Sequence, residues 1–129
     1  MAIHVLVVDD EAGIRHLLGN ILSEEQCQVE TTATVLEALA KLAEKPFDLA
    51  IVDLMLPEID GLQLAEAIQV LDPGTPVILI TAYGTAAFEG MASHPAITHY
   101  VHKPFDLEHL LTIVRRCLAR RRRELGLPA

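Results

Sequence analysis

Three aspartates, a threonine and a lysine stand where short apolar runs stop. Ile3-His4-Val5-Leu6-Val7-Val8 runs into Asp9-Asp10-Glu11, Leu49-Ala50-Ile51-Val52 into Asp53, Val77-Ile78-Leu79-Ile80 into Thr81, and Ile97 to His102 into Lys103. Such β-branched runs read as buried strands. In an open parallel sheet the carboxyl ends of the strands form one edge, and ligands bind there. Clustered carboxylates repel one another and need a counter-charge. A hard divalent cation such as Mg²⁺ suits them, because it takes a few carboxylate oxygens and keeps several waters. Lys103 would be a second counter-charge, and a metal beside a lysine and a hydroxyl suits stabilisation of phosphoryl oxygens.

The segments between these runs must bring those ends together. Ile14, Leu17, Leu18, Ile21 and Leu22 fall at helical spacing and predict a helix ending near Ser23 to Gln26, followed by a weaker strand from Cys27 to Thr31. Thr34 with Glu37 fits a capping box for a second helix, whose apolar face is read as Leu36, Leu39, Ala40 and Ala43 and which stops before Pro46. A third helix is predicted from Leu62 to Leu71. The pattern from Ala86 to Ser93 is weaker, with Gly90 inside it and His94-Pro95 closing it. Asp106 is the expected cap of a last helix with Leu107, Leu110, Leu111, Val114 and Leu118 on its core stripe, running through the arginines to about Glu124. Five strands alternating with five helices predict an α/β fold, an open parallel sheet covered on both faces.

With 129 residues, 51 % hydrophobic and 22 % charged, the chain has the size and composition of one folded domain. No apolar run approaches the roughly 18 residues of a membrane span, and the first residues carry no signal region, so the expectation is a cytoplasmic protein without a membrane partner. Cys27 and Cys117 have no metal-ligand spacing and read as small core residues. The net charge of -8 conceals an asymmetry. Residues 1–114 carry four basic side chains against 17 acids, whereas residues 115–129 carry six arginines against Glu124 alone. So acidic a body repels a nucleic-acid backbone. The arginines read either as a solvated helix end or as a linker or partner contact.

Taken jointly, Val8-Asp9-Asp10-Glu11, Asp53-Leu54-Met55-Leu56-Pro57 with Asp60-Gly61, Thr81-Ala82 and Lys103-Pro104-Phe105 resemble the receiver domain of two-component response regulators. The resemblance covers residues 3 to about 118. It implies a flavodoxin-like sheet of order 2-1-3-4-5 and a phosphorylation switch rather than an enzyme. Asp53 would accept a phosphoryl group from a sensor histidine kinase or a phosphotransfer protein. Asp10 and Asp53 would bind Mg²⁺ directly, Asp9 mainly through water, and Met55 would add its backbone carbonyl. Thr81 would hydrogen-bond the phosphoryl group, Lys103 would contact it, and Tyr100 would turn inward as the switch is thrown. The Lys103-Pro104 peptide is expected to be cis. The fourth helix, fifth strand and last helix would form the output and homodimer face. Residues 1–119 would be the receiver, with 120–129 a basic extension and candidate linker to an output domain.

Thr81-Ala82-Tyr83-Gly84-Thr85 is locally similar to the receivers of NtrC-type transcription activators, which makes transcription the expected output. Met55 and Tyr83, each two residues past a site position, would shield the phosphoryl group from water and slow its loss. A metal-dependent phosphohydrolase is the competing reading, but an Asp-x-Asp motif after the first strand is absent. A flavodoxin-like cofactor site would need a phosphate cradle where Asp9-Asp10-Glu11 stands.

Overall fold

The computed structural model describes residues 3–56, 59–82 and 94–128. Among these, the strands are β1 (Ile3–Val8), β2 (Cys27–Thr32), β3 (Leu49–Asp53), β4 (Val77–Thr81) and β5 (His99–His102). The helices are α1 (Ala12–Ser23), α2 (Val35–Glu44), α3 (Gly61–Leu71) and α4 (Leu107–Glu124). All strand pairs are parallel, in the order β2-β1-β3-β4-β5. The predicted helix over Ala86 to Ser93 lies outside the described residues, as does Tyr83.

Side chains alternate across the strands and divide the core in two. Ile3, Val5, Val7, Leu49, Ile51, Ile78, Ile80 and Val101 pack on one face against Leu18 and Leu22 of α1 and Leu110, Val114 and Leu118 of α4. Leu6, Val8, Ala50, Val52, Val77 and Leu79 pack on the other against Val35 and Ala38 of α2 and Leu64, Ala65 and Ile68 of α3. β3 and β4 are buried along their whole length, which is why their sequences are apolar without alternation.

Local chemistry starts the helices. The Thr34 hydroxyl accepts from the Glu37 N–H at 3.1 Å. Asp60 and Gln63 form a reciprocal capping box on α3, and the Asp106 carboxylate accepts from the Glu108 N–H at 3.0 Å on α4. α4 ends where Gly126 takes a φ of 73°, with the Leu127 N–H reaching back to the Arg122 carbonyl.

Two expectations need correction. The buried stripe of α2 is Val35 and Ala38, with Leu42 partly buried, whereas Leu36 is 76 % exposed and Leu39, Ala40 and Ala43 face solvent. Seven of the ten residues of α2 are apolar, so two stripes compete, and packing against the sheet chooses between them. The fifth strand begins at His99 rather than Ile97. The Ile97 N–H closes a turn onto the His94 carbonyl, and Ile97 is buried as a plug beneath α3 rather than as a strand residue.

Candidate phosphoacceptor site

Register brings the strand ends level. Val8 is paired with Val52, so Asp9 and Asp53 follow side by side. Asp53 is opposite Ile80, and Thr81 is opposite His102, which sets Lys103 one residue past the same line. Alternation then sorts them. Asp9, Asp53 and Lys103 continue the rows of Val7, Ile51 and Val101, on the side of α1 and α4, while Thr81 continues the row of Leu79 on the side of α2 and α3. Tyr100, beside Leu79 in register, packs on that second side too. Thr81 and Tyr100 therefore share a face.

Asp9 and Asp53 are buried, at 1 % and 3 % exposure, while Asp10 and Glu11 are exposed. One carboxylate oxygen from each of these four lies within 4.8 Å of the others. Lys103 joins the cluster: its Nζ donates to Asp53 Oδ2 at 3.1 Å, to Asp9 Oδ2 at 3.3 Å and to Glu11 Oε1 at 3.3 Å. Burial alone would lower the ammonium's pKa, but the bond to Asp53 and the charges of Asp9 and Asp53 outweigh it and raise it. Burial raises the pKa of Asp9, and the charge of Asp53 adds to that, against the opposing Glu11 N–H and Lys103. An ammonium alone leaves this cluster net negative. It is an oxygen-rich, anionic pocket of the kind that holds a hard cation.

The backbone aims the acceptor. Asp53 Oδ1 accepts from the Met55 N–H at 3.1 Å, leaving Oδ2 on Lys103. The Leu54 N–H is bound to the Ile80 carbonyl at 2.8 Å, and the Gly61 N–H to the Leu54 carbonyl at 2.7 Å. A Cβ at Gly61 would overlap the carbonyl oxygen of Asp53, so α3 can start this close to Asp53 only with glycine there. Thr81 is fully buried at the strand end, and Met55, two residues past Asp53, is 49 % exposed. The Lys103-Pro104 peptide is cis.

Two contacts were not foreseen from the residue pattern. Glu11 reaches Lys103, and Arg15 Nη1 donates to the Asp9 carbonyl at 2.8 Å. The only sequence signal for Arg15 is its place one turn into the helix that follows the acids. The arginine run is also more engaged than a solvated end. Arg121 Nε meets Asp48 Oδ1 at 2.7 Å, Arg115 meets Glu25 at 3.0 Å, and Arg122 donates to the Glu25 carbonyl at 2.8 Å. These bonds hold α4 to the edge of the sheet opposite the acids.

The response regulator receiver domain family matches residues 5–115. Among curated relatives, the transcriptional regulatory protein GlrR of Escherichia coli K12 is 38 % identical over 107 residues, covering 83 % of this chain and 24 % of that protein. Sporulation initiation phosphotransferase F of Bacillus subtilis is 33 % identical over 115 residues, covering 88 % of this chain and 92 % of that protein. The chain thus spans about a quarter of the length of the first and nearly all of the second. The response regulator TrrA of Thermotoga maritima, solved in complex with Mg(2+)-BeF, is 34 % identical with a TM-score of 0.77, over 89 % of this chain and 98 % of that one. With the family match running from the first strand into the last helix, and the fold shared over most of both chains, this chain belongs to the response regulator receiver domain family.

Proposed function

We propose that Asp53 is the phosphoacceptor of a signalling switch charged by a sensor histidine kinase or a phosphotransfer protein. An Asp53 carboxylate oxygen attacks phosphorus, the phosphorus–nitrogen bond of the donor phosphohistidine breaks, and the imidazole leaves with the electron pair. The observation that carries this reading is the position of Asp53, buried, with one oxygen on a backbone N–H and the other on Lys103 Nζ. Asp10, Asp53 and the Met55 carbonyl would hold Mg²⁺ directly, and Asp9 would act mainly through water. A bound Mg²⁺ supplies charge that offsets repulsion between the carboxylate and the incoming phosphoryl oxygens. Lys103 exchanges part of its contact with Asp9 and Glu11 for the phosphoryl oxygens, and Thr81 donates its hydroxyl to them.

Thr81 and Tyr100 transmit the change, since they lie on one face of the neighbouring strands β4 and β5. The responding surface is the expected fourth helix over Ala86 to Ser93, β5 and α4, which also forms a homodimer and controls an output, transcription in the case of relatives such as GlrR. The phosphodonor docks beside the acceptor. An apolar groove there, about 460 Å³ in volume, is lined by Ile14, Leu17, Pro104 and Phe105 next to Lys103. No helix among the described residues is long and apolar enough to cross a membrane. Residues 120–124 form the last turn of α4, which Arg121 anchors to Asp48.

The test is intact-mass measurement after incubation with acetyl phosphate and Mg²⁺. A single phosphoryl adduct is expected, lost on Asp53→Ala and on chelation of the metal. An adduct that survives Asp53→Ala, or none on a folded chain offered both acetyl phosphate and a phosphorylated histidine kinase, overturns the assignment.

A further inference from the structure

At the sheet edge opposite the acids, a cavity of about 390 Å³ opens between α4, the turn before β4 and the start of β5. Pro73, Pro76, Pro95 and His99 form part of its wall, and Arg116 and Arg120 part of its rim. Its volume falls in the range of small-molecule sites, roughly 300–1,000 Å³. Most of its polar groups are already used. The Thr75 hydroxyl donates to the Phe47 carbonyl at 2.7 Å, the Thr98 hydroxyl accepts from the Val77 N–H at 3.2 Å, and Gln69 donates to the Thr75 carbonyl at 2.9 Å. Arg121 and the carboxylate of Glu124, both on the lining, pair at 3.2 Å, and Arg121 is also held by Asp48.

Two guanidinium groups are left. Arg116 has no ion pair or hydrogen bond among the described residues. Arg120 meets only Glu124, at 3.3 Å in a pair with 76 % and 45 % side-chain exposure, which water screens and a stronger anion would displace. One helical turn separates them, so both project from the same face of α4. The planar fork of arginine matches phosphate oxygens two at a time. Prolines carry no N–H and present rigid apolar faces, and His99 offers a ring, so the wall suits a flat heterocycle rather than a second charge.

We propose that this cavity binds a nucleoside monophosphate, its phosphate held by Arg116 and Arg120 and its base against the prolines and His99. The acidic body works in its favour. Residues 1–114 repel anions while the six arginines of α4 attract them, which steers a small anion to this end and away from Asp53.

The full chain, labelled with ¹⁵N and free of Mg²⁺, would be titrated separately with AMP, GMP, CMP, UMP and inorganic phosphate. At least one nucleotide is expected to shift the amides of Gly74, Thr98, His99 and Arg116, and to bind about tenfold or more tighter than inorganic phosphate. The double change Arg116→Gln with Arg120→Gln should weaken it by about tenfold or more, leaving acetyl phosphate labelling of Asp53 unchanged as proof of an intact fold. No shift at those amides with any of the four nucleotides at millimolar concentration overturns the proposal. So does equal binding by the double variant, or binding of inorganic phosphate as tight as that of the nucleotides.

Discussion

At the scale of single residues, Asp9 and Lys103 are both held above their ordinary pKa, Asp9 chiefly by burial and Lys103, against burial, by its carboxylate neighbours. Burial raises the pKa of Asp9, so the folded chain holds its proton more tightly than the unfolded chain. Its contribution to stability is present at low pH and is lost as pH rises through that raised value. At neutral pH without a divalent ion, the charged Asp9 therefore opposes folding. Asp9→Asn is expected to raise Tm, by an amount that shrinks as the melts are repeated at falling pH. Met55 acts on lifetime instead. It is half exposed two residues past Asp53, where on the proposed function it would shield the acyl phosphate from water. Met55→Ser should shorten the half-life of phosphorylated protein severalfold, followed by intact mass after removal of the phosphodonor.

The elements carry a second set of constraints. α3 begins against the backbone of Asp53, and a methyl group at Gly61 has nowhere to go because its nearest neighbours are backbone atoms of Asp53 and Leu54. Gly61→Ala is expected to destabilise the chain by about 1–3 kcal/mol and to slow labelling of Asp53, measured by urea unfolding and by the rate of adduct formation. β2, an edge strand, is tied to α2 by Glu30, which lies 3.0 Å from Lys45 Nζ and 3.3 Å from Lys41 Nζ. The hydrogen bond from Lys45 lowers the pKa of Glu30 against the effect of burial, with Lys41 adding to it. A depressed carboxylate stabilises above its unfolded value, about 4.3, and the benefit is lost as pH falls through the folded value. Glu30→Gln should therefore remove up to about 1 kcal/mol at neutral pH and nothing once both states are protonated, read from urea midpoints in low salt at the two extremes.

The whole molecule separates two chemistries to opposite ends of one sheet, with the buried acceptor at the carboxyl edge and the arginines of α4 tied to Glu25 and Asp48 at the other. Between them, Thr81 and Tyr100 lie on one face of β4 and β5. The proposed homodimer, through the expected fourth helix, β5 and α4, should tighten on activation. Sedimentation velocity with and without beryllofluoride is expected to show a shift towards twice the monomer mass, and an unchanged distribution would leave the switch monomeric. Much of this was legible in the residue order. Apolar runs ending in Asp9, Asp53, Thr81 and Lys103 determined the strands, their parallel arrangement and the acids that share an edge, because strand period and helix period are local properties of a chain. The caps at Thr34 and Asp106 were legible for the same reason, whereas the capping box of Asp60 and Gln63 was not read from the sequence. Tertiary structure alone decided which stripe of α2 is buried, since Leu36 and Val35 are equally apolar and only the neighbouring layer distinguishes them. It also decided that Lys103 bridges Asp53, Asp9 and Glu11, and that Arg121 closes on Asp48 across 73 positions. Such contacts depend on register and on the path of the chain between distant segments, and no local pattern in the sequence encodes them.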